Sequence, residues 1–113
     1  MGNSYLDELT ELLKQARPRL AATHQLEFKN VFGAAAGYVN GNIFMSCGKF
    51  GVALRLPRET LESVFKEEGV EPLKYFPKGH IKKEYAVLPK RLLDNKDQFK
   101  KLLDKSSRYA NAL

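Results

Sequence analysis

Between Leu26 and Leu56 apolar residues alternate with small or polar ones at a period of two, and on either side they recur every three or four residues. The first regime predicts strands and the second helices. Leu26, Phe28 and Phe32 point one way along a first strand, with Glu27, Lys29 and Val31 pointing the other, until Gly33 interrupts it. Asn40-Gly41, set between apolar runs, is a two-residue hairpin tip, because a type I′ turn needs positive φ at both central residues. With that pair at one tip and Gly48-Lys49 at the next, a three-stranded meander follows. Cross-strand partners share a face. One face then holds Ala36, Tyr38, Ile43, Met45, Cys47, Phe50, Val52 and Leu54, which is almost wholly apolar. The opposite face holds Ala35, Gly37, Val39, Phe44, Ser46, Gly51, Ala53 and Arg55, which are mostly small.

Residues 3–17 read as an amphipathic helix, capped by Ser4 or Asn3, with Leu6, Leu9, Leu13 and Ala16 as its stripe and Pro18 as its end. Leu20 to Gln25 connect it to the first strand. Pro57 opens a second helix, with Leu61, Val64 and Phe65 turned inward and Gly69 as C-cap. A short strand around Leu73 and Tyr75-Phe76 leads to a turn at Lys78-Gly79-His80. The strand Lys82–Leu88 then places Tyr85 and Val87 on one side and Glu84, Ala86 and Leu88 on the other. Pro89 to Asp94 form a helical turn. Asn95 and Gln98 stand at capping-box spacing before a last helix carrying Phe99, Leu102, Leu103 and Ala110. Hairpins dominate this order. The expected fold is α+β: a two-layer domain with a largely antiparallel sheet built on the meander and helices packed on one face. Residues 1–113 form a single domain, large enough for one core.

Charge changes the picture in one respect. The net charge of +6 is unevenly placed. Residues 1–71 carry eight basic and nine acidic side chains, and residues 72–113 carry eleven and four. On the last helix Lys101, Lys105 and Arg108 fall on one stripe with Lys96 and Lys100 beside it; Lys78, Lys82 and Lys83 precede them. This set is the candidate nucleic-acid contact, since clustered cations neutralise phosphates. No helix-turn-helix, zinc finger or aromatic platform accompanies it. The alternative is a solvated helix face broken up by Asp97 and Asp104. One cysteine rules out an internal disulfide framework. No run is apolar enough for a membrane span, and the acidic N-terminal helix does not suit a signal peptide. A cytoplasmic setting with no membrane association is expected.

Candidate chemistry is sparse. Gly33-Ala-Ala-Ala-Gly37 lacks the following helix and Lys-Ser/Thr of a phosphate loop, and reads as a bend permitting close backbone approach. Cys47 sits among Met45, Phe50 and Ile43, a packing position rather than a reactive one. His24 and His80 lie in separate segments without ligand spacing, so no metal site is expected. No cofactor site and no catalytic constellation are readable, and enzymatic activity is not expected. Gly37, Val39, Phe44, Ser46, Gly51 and Ala53 remain as a candidate interface, because their face carries so few charges.

The run Val31-Phe32-Gly33, then Gly37-Tyr38-Val39-Asn40-Gly41-Asn42-Ile43-Phe44, then Val52-Ala53-Leu54-Arg55, resembles the N-terminal domain of TfoX-type proteins. Pro77-Lys78-Gly79, Tyr85, Leu88-Pro89 and Leu93-Asp94 extend that resemblance over nearly the whole chain. Ala34 and Ala36 depart from it, standing where many members have glycine. The resemblance implies an α+β fold and an association with bacterial competence regulation, in the stand-alone form of the domain. It supplies no catalytic residues. The expected function is therefore a non-enzymatic regulatory or adaptor module acting through protein–protein contacts, self-association included. The alternative is a nucleic-acid-associated protein using its basic last helix.

Overall fold

The computed structural model describes residues 4–16, 25–31, 33–74 and 82–113. Among them lie six strands, β1 (Leu26–Val31), β2 (Ala34–Val39), β3 (Asn42–Gly48), β4 (Gly51–Arg55), β5 (Glu71–Leu73) and β6 (Lys82–Leu88). They are joined by four helices, α1 (Tyr5–Ala16), α2 (Arg58–Val64), α3 (Lys90–Asp94) and α4 (Lys96–Asn111). The strands form one antiparallel sheet in the order β1-β2-β3-β4-β6-β5. The helices pack on one face of it, burying Leu9, Leu13, Val64, Leu92, Phe99, Leu103 and Ala110 against the strands. The two-layer α+β architecture is the one anticipated.

Several local signals hold. Ser4 caps α1, its Oγ accepting from the Asp7 N–H at 3.1 Å. Pro57 and Pro89 occupy the extended N-cap positions of α2 and α3. Asn95 caps α4 through Oδ1, which accepts from the Gln98 N–H at 3.2 Å. Asn40 and Gly41 take φ 48° and 86°, as a type I′ turn demands. Gly69 takes φ 88° beyond α2, but that helix closes at Val64, earlier than expected, and Phe65 is exposed rather than inward. The expectations at Asn3, Pro18, Leu20 to His24, Phe32, Tyr75-Phe76 and Lys78-Gly79-His80 lie outside the described residues.

The meander differs in two ways from the regular ladder. Its second turn has Lys49-Phe50 at the tip, so that Gly48 pairs with Gly51 and Met45 with Leu54. A two-residue shift preserves faces, and Met45, Cys47, Val52 and Leu54 all enter the helix-covered core. The β2–β3 pairing instead contains a bulge. Val39 pairs with Asn42 and Tyr38 with Ile43 as expected, but Gly37 pairs with Met45, leaving Phe44 as the extra residue. A bulge reverses the facing of everything beyond it. Ala35 and Val39 therefore join the core, while Ala36 pairs with Ser46 on the other face. Gly37 makes the bulge possible: a Cβ there would lie 3.1 Å from Met45 Cγ and 3.3 Å from the Phe44 ring. The missing side chain is the space the Phe44 ring uses.

Candidate functional site

The six residues of the expected interface do not share a surface. Val39 and Phe44 are fully buried beneath the helices, and Gly37 is buried beside them. Ser46 and Ala53 pair with each other on the opposite face, and both are fully buried within the single chain. Gly51 is half-buried at the start of β4. A partner cannot cover what the chain already covers, so the interface built from these residues is corrected. The cause is the bulge at Phe44, which splits the set between two faces. Ser46 Oγ is buried there, with no hydrogen-bond partner among the described residues.

The basic residues fare differently. Lys101, Lys105 and Arg108 are exposed along the outer face of α4, and Lys96 and Lys100 are exposed on its flank. Among the described residues none of the five pairs with a carboxylate. Lys83 is exposed on β6, away from the helix stripe. Lys78 and the Lys82 side chain lie outside the described residues. The candidate phosphate contact thus reduces to the five cations of α4.

That helix is held to the sheet by polar bonds over its last two turns. Ser106 Oγ donates to the Phe44 carbonyl at 2.5 Å, and Asn42 Nδ2 donates to the Ala110 carbonyl at 2.9 Å. The Tyr109 hydroxyl donates to Glu84, and Asn40 bonds Asn111. Glu84 is turned toward the helix by a left-handed backbone, φ 74°, where β6 is irregular. Its other carboxylate oxygen meets Arg55 Nη2 at 3.2 Å. The Arg55 guanidinium lies 5.9 Å from the centroids of both the Tyr85 and Tyr109 rings. The Tyr109 hydroxyl, and after it Arg55, hold the Glu84 carboxyl below its ordinary value, and the same bond raises the Tyr109 phenol. Sequence reasoning missed this cluster because its members lie on three elements and only the fold brings them together.

Cys47 is buried on β3. Burial, followed by the nearby Glu8 carboxylate, pushes its thiol up to about 12. It is therefore a neutral packing group at physiological pH, in keeping with its reading as a core residue.

A groove of ≈ 920 Å³ opens between α1, α3 and the start of α4. Val52, Leu88 and Phe99 form its floor, and Leu12, Ala16 and Leu93 its apolar walls. Its rim carries three lysines, Lys90, Lys96 and Lys100, and three acids, Glu8, Asp94 and Asp97. An apolar floor under a rim of both signs suits a surface that mixes apolar and charged groups more than a small highly charged ion. Sequence inspection missed the groove because its walls come from three helices distant in the chain.

The profile of the TfoX N-terminal domain matches residues 19–110. The chain belongs to the TfoX N-terminal domain family. A comparison with curated proteins returned no match. In this TfoX-type domain the matched stretch contains the six described strands, helices α2 and α3, and α4 up to Ala110. The groove also uses α1, which precedes the match. Among the described residues, no group of three or more His, Cys, Asp or Glu is placed to hold a metal ion. No described helix is long and apolar enough to cross a membrane.

Proposed function

We propose that this TfoX-type domain is a non-enzymatic regulatory or adaptor module, working in the cytoplasm, that acts by contact with another protein. The groove between α1, α3 and α4 carries the reading: its floor is apolar, its volume is far larger than a packing defect, and its rim offers three charges of each sign. The ionisable groups with displaced protonation support it. Glu84 and Tyr109 tie α4 to the sheet, and Cys47 is a core thiol, so each already has a structural task.

A second reading has its own observation: Lys101, Lys105 and Arg108 form an exposed row on α4 without carboxylate partners among the described residues. That row favours contact with nucleic-acid phosphates.

Affinity capture from native lysate separates the two, with protein and nucleic acid recovered in parallel. The wild type is compared with Leu93→Arg in the groove wall and with the K101E/K105E/R108E variant. Protein partners lost with Leu93→Arg support the adaptor reading. Nucleic acid lost with the triple reversal supports the second. Retention of neither, or retention indifferent to both changes, rejects both.

A further inference from the structure

The sheet has two edges, and they are built differently. β5 is three residues long and contains Pro72, which has no N–H to offer. An edge of that kind is blunted against pairing. β1 is six residues long, contains no proline, and pairs with β2 in unbroken register from Leu26↔Val39 to Val31↔Ala34. Gln25, Glu27, Lys29 and Asn30 are exposed along it.

The direction of its backbone groups follows from the ladder. The Asn40 N–H donates to the Gln25 carbonyl at 2.8 Å. Antiparallel partners alternate between bonded and non-bonded pairs, so Glu27 and Lys29 bond inward to β2. Leu26, Phe28 and Asn30 direct their N–H and C=O groups outward. An antiparallel partner added at this edge must therefore pair through those three residues.

We propose that the outer edge of β1, which no other described strand pairs with, joins antiparallel to β1 of a second copy of this chain, in the register that places Phe28 opposite Phe28. The alternation leaves few symmetric choices. Centring the twofold axis on Phe28 pairs Leu26 with Asn30 of the second copy and sets Glu27 opposite its Lys29, twice by symmetry. Centring it one residue earlier sets Glu27 against Glu27, and one residue later sets Lys29 against Lys29. Like charges directly opposite each other in a sheet are destabilising, and opposite charges are favourable. Only the Phe28 register is complementary throughout. Glu27 and Lys29 already approach each other within one chain, at 3.7 Å, with side chains 47% and 60% exposed. They share the open face and remain accessible to a second copy. On the helix side the two Phe28 rings, each half-buried, become neighbours across the axis. The contact is small, so the association is weak and concentration-dependent.

This contact is independent of the groove, which lies on α1, α3 and α4, so Leu93→Arg leaves it unchanged. Sedimentation equilibrium over a range of micromolar to millimolar concentrations tests it on four proteins. The wild type is expected to dimerise. Asn30→Pro removes an outward N–H without breaking a β1–β2 bond and is expected to shift the equilibrium to monomer. Glu27→Lys sets lysine against lysine and weakens association about tenfold. The double change E27K/K29E restores the complementary pairing and with it the wild-type constant. Circular dichroism of each variant checks that the fold persists. A wild type that stays monomeric throughout, a dimer indifferent to Asn30→Pro, or a charge swap that fails to restore what Glu27→Lys removes, each overturns the proposal.

Discussion

Phe44 shows how one residue decides the fate of a surface. Its ring fills the space that Gly37 leaves empty, and it is fully buried. Phe44→Ala is expected to cost about 3–5 kcal/mol in urea unfolding, the range for a large core aromatic. A surface residue would cost within about 0.5 kcal/mol. Gly48 is a second such point: a Cβ there would lie 2.8 Å from the Phe50 ring and 2.9 Å from Ala34 Cβ. Gly48→Ala should lose roughly 1–3 kcal/mol through overpacking, read by the same measurement. Cys47, with its thiol pushed up to about 12, is expected to react with an aromatic disulfide reagent at pH 8 only on unfolding. Stoichiometric labelling of the native protein within minutes would contradict its buried, neutral state.

Among the elements, α4 has the most divided attachment. Its first half is seated by Phe99 and Leu103, and its second half by Ser106, Tyr109 and the Ala110 carbonyl. Polar attachment makes this helix sensitive to pH through Glu84 and Tyr109. The Glu84 carboxyl is held below its ordinary value of 4.5, so its stabilisation is present above that value and is lost as pH falls through the lowered one. The Tyr109 phenol is raised above 10.0, so its stabilisation is present below that value and is lost as pH rises through the raised one. Glu84→Gln should therefore lower stability most between these limits, by at most about 1 kcal/mol given a carboxylate exposed to solvent screening. The wild-type and variant curves should converge toward the acid end. Thermal unfolding across pH reads this directly, and parallel curves would remove the cluster's role in stability.

For the whole molecule the question is where its excess positive charge can act. The five exposed cations of α4 stand on the helix layer, and Lys83 is apart from them on β6. If the row Lys101, Lys105 and Arg108 meets duplex phosphates, log K should fall with log salt, and the triple reversal should reduce that slope by about three. An unchanged slope in a fluorescence anisotropy titration would assign the row to solvation alone. The β1 edge and the groove occupy different parts of the molecule, so self-association and partner contact can coexist.

Much of this architecture was legible from residues close together in the chain. The Asn40-Gly41 turn, the Ser4 and Asn95 caps, the prolines at helix starts and the alternation in β6 are local devices, each set by a few dihedrals or one hydrogen bond. The layer order followed, because an apolar sheet face needs helices to cover it. The bulge was not legible. It depends on whether Phe44 and Met45 can both oppose Gly37, which is a matter of volume across two strands. For the same reason the small residues of the meander looked like an available surface and proved to be interior. The Arg55–Glu84–Tyr109 cluster, the groove and the contrast between a β1 edge left unpaired among the described residues and a proline-blunted β5 edge are likewise products of packing. They join residues far apart in the chain, and only the closed fold makes them neighbours.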